Sequence, residues 1–281
     1  MSDPKFNRLS SLQTSSNLGP LEALIGTWKG DNGWNIVALP DRNSPERGFI
    51  LLIQEYYETI TFTSLGGATP NRGTEGTQST YGLEYELSIN EKGTGEPLHK
   101  ENGMWLIASD PSGEFPIARQ TSVPHGDVLL AQGNYKTYDG APTFPEFSVQ
   151  PIGVPMSDLG YMEHYNGPEH GGKWTAPFPS SNINLSLASD IKGQTILNTT
   201  QISVNTANKG GVMNIPFVTE NANIKAFSSD FYIETVQGEH GVNFLQLQYS
   251  QNSEMHFMKT HNPEQPLIIW PHGDVNTLRK Q

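Results

Sequence analysis

Strict alternation of apolar and polar residues is the feature that most constrains the fold of this chain. Residues 83–89 read Leu-Glu-Tyr-Glu-Leu-Ser-Ile, and residues 244–250 read Phe-Leu-Gln-Leu-Gln-Tyr-Ser. A period of two residues is typical of a β-strand that has one face buried and the other exposed. The sequence offers no helix long enough to cross over between parallel strands, so we expect an antiparallel sheet.

Further strand candidates are bounded by Gly, Pro, Asn and Asp. They are residues 48–63, 103–108, 114–122, 127–135, 183–188, 195–206 and 225–236. Together with the alternating segments these make about ten strands. The sequence therefore predicts an all-β fold, a single antiparallel up-and-down β-barrel closed around a cavity that holds a small molecule.

The remaining segments predict how the barrel is completed. Residues 17–26 have the pattern of a short helix, with Asn17 as its cap and Gly26 at its end. Residues 66–76 are rich in Gly, Thr and Asn and predict a mobile loop. Residues 138–181 predict a loop insertion whose aromatic residues pack on the body of the barrel. We expect one domain over residues 1–281, with a flexible N-terminus at residues 1–16.

Composition narrows the chemistry and the partners. The chain of 281 residues has no Cys, so any metal or cofactor must be held by His, carboxylate, Tyr or Met. Its net charge of −12 disfavours nucleic acid and anionic membranes as partners. The polar N-terminus has no apolar segment of a secretion signal, and no apolar run is long enough to span a bilayer, so we expect a cytoplasmic protein.

The eight His residues are the first candidates for metal ligands or acid–base groups. His240 and His261 have the sequence context of turns. Glu163-His164 and Glu169-His170 lie in the Gly-rich insertion, which favours a polar surface loop over a zinc or iron site. His99-Lys-Glu101 matches the H-x-E of zinc deaminases, but the Cys pair of that site is absent.

Three groups of residues resemble a known family. Gly26-Thr-Trp28-Lys-Gly30 after a short helix resembles the start of calycins, the lipocalins and fatty-acid-binding proteins. Residues 96–105, followed by 117–122 and 130–133, resemble the middle of nitrobindin, a heme-binding β-barrel. Residues 270–280, from Trp-Pro-His-Gly to Arg-Lys, resemble its closing segment.

This resemblance implies heme b as the cofactor, with His272 as the axial ligand of its iron. The positions that it places around the heme are Leu98, His99, Met104, Arg119, His125 and Trp270. An apolar set facing iron suits neutral diatomics, and would imply nitric oxide binding and peroxynitrite isomerisation. If His99 or His125 with Arg119 faces iron, the pair would polarise a peroxide, as in a peroxidase. Trp28 is expected to plug the closed end of the barrel.

Other functions fit the same sequence. In one alternative His272 merely begins a terminal helix that Asp274 caps. The barrel would then be a lipocalin-like carrier of a lipid or pigment. In another, a lipid isomerase or cyclase confines its substrate and uses one polar group such as Glu101. The insertion at residues 138–181 would cover the barrel mouth or form the contact of a homodimer.

Overall fold

A computed structural model describes residues 17–43, 48–110, 113–154, 160–162, 181–258 and 267–281. Strands make up most of it. They are β1 (Gly26–Pro40), β2 (Phe49–Ser64), β3 (Thr69–Gly73), β4 (Gly76–Glu91), β5 (Pro97–Ala108), β6 (Ile117–Val123), β7 (Asp127–Asp139), β8 (Ile196–Asn205), β9 (Gly211–Asn214), β10 (Asn223–Val236), β11 (Phe244–Phe257) and β12 (Ile268–Lys280). Helices are short: a 3₁₀-helix at Gly19–Leu24, α1 (Leu185–Asp190), α2 (Pro216–Asn221) and a 3₁₀ turn at Glu239–Gly241.

The strands form a closed antiparallel barrel. Its order is β2-β1-β12-β11-β10-β8-β7-β6-β5-β4, and β2 pairs with β4 to complete a ring of ten strands. Sequence neighbours pair except at three places: β12 meets β1, β3 leaves the ring so that β2 pairs with β4, and β9 leaves it to pair with β7 so that β8 pairs with β10. The predicted up-and-down barrel is confirmed. Closure removes the free strand edges that an open sheet would expose.

One end of the barrel is closed by an apolar core. The 3₁₀-helix places Leu21 and Leu24 across this end, and both are fully buried. Trp28 is also fully buried there, and its Nε1 donates a hydrogen bond to the carbonyl of Leu24 at 2.6 Å. These contacts agree with the expectation that Trp28 plugs the barrel. The opposite end, where β5, β7 and β12 begin, is called the mouth below.

A second apolar cluster covers the outer wall of β1, β2 and β12. Trp34 and Ile36 of β1 pack there with Val149, Ile183 and Leu187, all of them buried. Leu187 lies on α1, and Ile183 lies just before the helix begins. The described part of the 138–181 insertion thus packs on the side of the barrel.

The structure corrects three local predictions. Residues 183–188 were expected as a strand, but α1 occupies residues 185–190. So short an apolar pattern fits the period of a strand and the period of a helix equally well. Residues 66–76 were expected as a loop, but β3 pairs there with an extension of β4; both are exposed, so no alternation marks them. The cap position of the 3₁₀-helix is Leu18 and not the expected Asn17.

The alternative of a terminal helix after His272 is also wrong. Residues 268–280 form β12, which pairs with both β1 and β11. Alternation is hidden in this strand because both of its faces are buried: Val275 lies under α1 and the second cluster, while Leu278 belongs to the inner core. Among the described residues, no helix is long and apolar enough to cross a membrane.

Candidate ligand site in the barrel lumen

A ring of polar side chains crosses the lumen between the closed end and the mouth. Paired residues of neighbouring strands share a face of the sheet, so the register identifies the members of this ring. Its members, called the polar belt below, are Gln54, Asn35, Asp274, Gln251, Ser229, Arg119 and Glu101. Polar groups inside a barrel must find partners within it, and the belt satisfies this requirement internally.

Arg119 is the centre of the belt. Its side chain is only 1% exposed, and Nη2 donates to Oε1 of Glu101 at 2.6 Å. Nη1 donates to Gln251 and, at 3.3 Å, to Ser229. The guanidinium also lies 5.3 Å from the ring centroid of Trp105 and 5.1 Å from that of Phe227. These contacts hold Arg119 rigidly beneath the mouth, away from direct contact with solvent.

Glu101 connects Arg119 to the mouth. Burial acts to raise its pKa, but the charge of Arg119 and hydrogen bonds from His99 and Tyr85 outweigh burial and lower the pKa to about 2. Glu101 therefore stays ionised at neutral pH and is a weak proton acceptor. This disfavours the alternative in which Glu101 is the catalytic base of a lipid isomerase.

His99 and His125 lie together at the mouth. Their rings are 5.7 Å apart between centroids, and Nε2 of His99 lies 3.4 Å from Oε2 of Glu101. Burial lowers the pKa of His99, but the hydrogen bond and charge of Glu101 outweigh it and raise the pKa above its ordinary value. Burial, followed by the charges of His99 and His272, lowers the pKa of His125. The three imidazoles therefore share one region.

His272 lies on the inner face of β12, in line with Asp274 and Asn276. Its Nε2 is 2.8 Å from Oδ1 of Asn35 on β1 and 3.4 Å from Oδ2 of Asp274. The His272 side chain is 28% exposed and that of His99 is 25% exposed, so solvent reaches both from the mouth. An imidazole that is fixed on one side and open on the other is suited to bind a metal-centred ligand.

A buried carboxyl below the belt was missed by sequence reasoning. Glu58 is 2% exposed, and its Oε2 accepts hydrogen bonds from Tyr249 and Asn276, each at 2.7 Å. Burial raises its pKa to about 7, and Oε1 has no hydrogen-bond partner among the described residues. The alternation of Tyr56, Glu58 and Ile60 along β2 is the sequence signal that could have identified it.

One of the residues expected around a cofactor faces away from the lumen, and another is covered by aromatic side chains. Met104 is 39% exposed. Gly103 and Trp105 lie on the inner face of β5, where Trp105 pairs with Arg119 of β6, and Met104 lies on the opposite face. Trp270 is fully buried; its ring stacks on Phe257 and its Nε1 donates to the Phe257 carbonyl. The register of β5 thus turns Met104 away from the lumen. Trp270 shares the face of His272 on β12, where the rings of Phe49 and Phe257 cover it.

The other predicted positions divide between the site and the core. Leu98 is half-buried against the inner core at a register shift between β4 and β5, whereas His99, His125, Arg119 and His272 surround the lumen. His240 lies in an exposed turn, as expected. Glu163, His164, Glu169, His170 and His261 lie outside the described residues. Within the described ranges, no group of three or more His, Cys, Asp or Glu is arranged to hold a metal ion.

Comparisons with known proteins find a family model and solved structures that are similar to this chain. The chain matches the model of the THAP4-like, heme-binding beta-barrel domain over residues 17–145. A solved structure of Rv2717c from M. tuberculosis aligns with a TM-score of 0.46 and 14% identity, covering 94% of this chain and 97% of that chain. A search of curated proteins finds no match. The resemblance predicted from the sequence is confirmed, and residues 17–145, which span β1 to β7, carry the pattern of the THAP4-like, heme-binding beta-barrel domain family.

Proposed function

We propose that the mouth of the barrel binds heme, with His272 as the axial ligand of its iron. The observation that carries this proposal is the position of His272 on the inner face, with one ring nitrogen hydrogen-bonded to Asn35 and with His125 near enough to interact with it. Residues 17–145 match a heme-binding family, but His272 lies beyond that match. Its role therefore rests on the geometry of β12.

The surroundings of His272 fit a large apolar ring. Val37 and Leu52 pair across β1 and β2 on the same inner face as Asn35, two residues nearer the mouth, and Leu39 follows them. Val37 is buried, and Leu39 and Leu52 are half-buried. The lumen below the belt is filled by buried aromatic side chains, so the proposed ligand would lie above the belt, at the mouth. The aromatic residues below it are Tyr56, Tyr85, Trp105, Phe231 and Tyr249.

The polar set opposite His272 supports chemistry on a peroxide more than simple storage of a neutral diatomic. Heme, when bound, supplies iron that coordinates a small molecule. His99 is exposed at the mouth, Glu101 hydrogen-bonds it, and Arg119 holds Glu101 ionised. His99 is thereby arranged to accept and return a proton beside the bound molecule. We infer a heme protein that senses or converts a peroxide-class ligand.

Titration of the full-length chain with hemin tests this proposal. We expect a Soret shift with wild type that is lost in His272→Ala, whereas His240→Ala, a control in an exposed turn, should match wild type. The absence of a shift in wild type, or the same shift in His272→Ala, would refute the axial role of His272. Native mass spectrometry distinguishes the carrier alternative, which predicts a retained lipid and no iron.

A further inference from the structure

A cavity of about 410 Å³ lies at the rim of the mouth and is called the rim cavity below. It is lined by residues that leave β1, enter β2, end α2, begin β10 and flank the ends of β11 and β12. Its volume falls in the range of about 300–1,000 Å³ that is typical of small-molecule sites. Among the described residues, neither His272 nor any member of the polar belt lines it, so the rim cavity is distinct from the proposed heme site.

A hydrogen bond joins two walls of the rim cavity. Nη2 of Arg42, just after β1, donates to Oδ1 of Asn221 at the end of α2, at 3.0 Å. Asn221 is held in turn, because its Nδ2 donates to the carbonyl of Phe217 at 2.8 Å. The guanidinium therefore has a defined place in the wall. Its other N–H groups make no hydrogen bond to the part of the chain that the structure describes, so they are available to a ligand.

Two further nitrogen groups of the rim cavity lack partners. Lys225 makes no ion pair or hydrogen bond with the described residues. Nε2 of His256 is buried and has no hydrogen-bond partner within the described ranges, and the carboxylate of Glu254 lies 4.0 Å from it. A buried polar atom without a partner costs free energy, which a bound ligand with a hydrogen-bonding group would recover.

The acidic residues of the rim cavity balance this charge only in part. Asp41 already accepts a hydrogen bond from the backbone N–H of Asn43 at 2.9 Å, through Oδ1. Glu220 is exposed on α2, where water solvates it. Of the residues that line the cavity, His256 is the one with a buried unpaired side-chain atom, and when its Nε2 carries a proton it donates to an acceptor. These features favour an anionic ligand.

Apolar side chains complete the wall of the rim cavity. They belong to Pro40, Phe257, Met258 and Leu267. Phe257 is buried and Met258 is half-buried, while Leu267 is 58% exposed. An apolar chain that packs on them would be removed from water, which is the main driving force for binding in such sites. Cationic groups beside apolar surface together suit an amphipathic anion.

We propose that the rim cavity binds a small aliphatic carboxylate. Its carboxylate group accepts hydrogen bonds from Arg42, Lys225 and His256, and its chain packs on Phe257 and Met258. A guanidinium is suited to this group because two of its N–H groups can bind both oxygens of one carboxylate. The proposal does not depend on heme binding, since no residue of the proposed heme site takes part.

Calorimetric titration of the full-length chain without hemin tests the class of ligand. The probes are octanoate, octylamine and octanol, which share a chain of eight carbons and differ in the charge of the head group. We expect saturable binding of octanoate and weaker binding of the other two. Octylamine that binds as tightly as octanoate, or octanoate that does not bind saturably, would overturn the proposal.

Two variants test the cationic partners. Arg42→Gln and Lys225→Gln should each weaken octanoate binding at least roughly five-fold, because each removes a charge-assisted hydrogen bond at a partly solvated site. Both side chains are exposed, so the fold should be retained. Arg72→Gln on the exposed strand β3 is the matched control and should bind octanoate like wild type. Equal affinities in Arg42→Gln, Lys225→Gln and Arg72→Gln would exclude these contacts.

The position of the ligand is measured by NMR of the imidazole rings. The His256 signals are assigned by their loss in His256→Gln. Octanoate should shift them progressively during the titration and leave those of His240, in an exposed turn, unchanged. Shifts of the His99 signals in place of those of His256 would locate octanoate in the lumen and refute the rim cavity as its site.

Discussion

At the scale of single residues, the ion pair of Arg119 and Glu101 sets the electrostatics of the lumen. Both side chains are nearly inaccessible, with exposures of 1% and 8%. Removing two charges from water is costly, and their attraction offsets this cost only when the geometry is good and the other donors are used. Tyr85, Thr121 and Gln251 supply those additional hydrogen bonds. The buried ion pair of Arg119 and Glu101 is therefore stable only together with these surrounding hydrogen bonds.

Glu101→Gln should destabilise the protein because it leaves the buried Arg119 charge without its counter-ion. We expect a loss of about 3–5 kcal/mol in the free energy of unfolding, measured by urea denaturation. The pKa of His99 should fall, since Glu101 is what raises it, and an NMR titration measures that change. Glu114→Gln breaks the exposed pair with Lys209 and should cost at most about 1 kcal/mol. Equal losses in the two variants would contradict this account.

At the scale of elements, an irregularity in β1 determines which residues face the lumen. Register shifts between Gly30 and Gly33 change the alternation, so that Trp28 is inside whereas Trp34 is outside. The same change turns Asn35 inward, toward His272. A β-bulge inserts extra residues into one strand and reverses the faces beyond it. Without it, the polar belt would lack its β1 member.

Gly33→Ala should disrupt this element. A Cβ at Gly33 would lie 2.1 Å from Cε2 of Tyr56, whose hydroxyl is hydrogen-bonded to Tyr249, so the ring cannot move freely. Overpacking of this kind costs about 1–3 kcal/mol. Gly93→Ala is the matched control because nothing lies within 4 Å of its Cβ. Urea midpoints should fall for Gly33→Ala and stay near wild type for Gly93→Ala; a Gly33→Ala midpoint equal to wild type would argue that the bulge is loosely packed.

At the scale of the whole molecule, buried carboxyls give the stability an unusual dependence on pH. The pKa of Glu58 is raised by burial to about 7, above the ordinary value of 4.5. The folded state therefore holds a proton that the unfolded state releases between these values. The contribution of Glu58 is fully present below about pH 4.5 and is lost as pH rises through about 7. Glu101 has the opposite sign, and its contribution is lost as pH falls from 4.5 through about 2.

Glu58→Gln should flatten the decline in stability between about pH 4.5 and 7. The decline attributable to Glu58 is on the order of 3 kcal/mol, because its pKa is about 7 in the folded protein against an ordinary value of 4.5. Thermal or urea unfolding of wild type, Glu58→Gln and the exposed control Glu84→Gln across this range measures it. The free energy of unfolding of wild type and of Glu84→Gln should decline by the same amount over this pH range. A decline of the same size in Glu58→Gln would show that Glu58 does not hold its proton in the folded protein.

The alternating segments allowed most of the barrel to be predicted, because a strand with one buried face must alternate. Residues 225–236 and 244–250 were recognised for that reason and lie within β10 and β11. Alternation failed where both faces are buried, as in β12, and where both are exposed, as in β3. In these strands the two faces have similar surroundings, so local sequence carries no period.

The sequence by itself determined the class of fold and the imidazoles of the site, since strand period, the absence of Cys and the motifs around His99 and His272 are local properties. Tertiary structure decided which faces meet. The bulge in β1 turned Asn35 inward, the register of β5 turned Met104 outward, and ring closure brought Glu58 from β2 to Asn276 from β12. The contacts of Asn35 with His272 and of Glu58 with Asn276 join residues 237 and 218 positions apart, and such pairing is set by packing of the closed barrel.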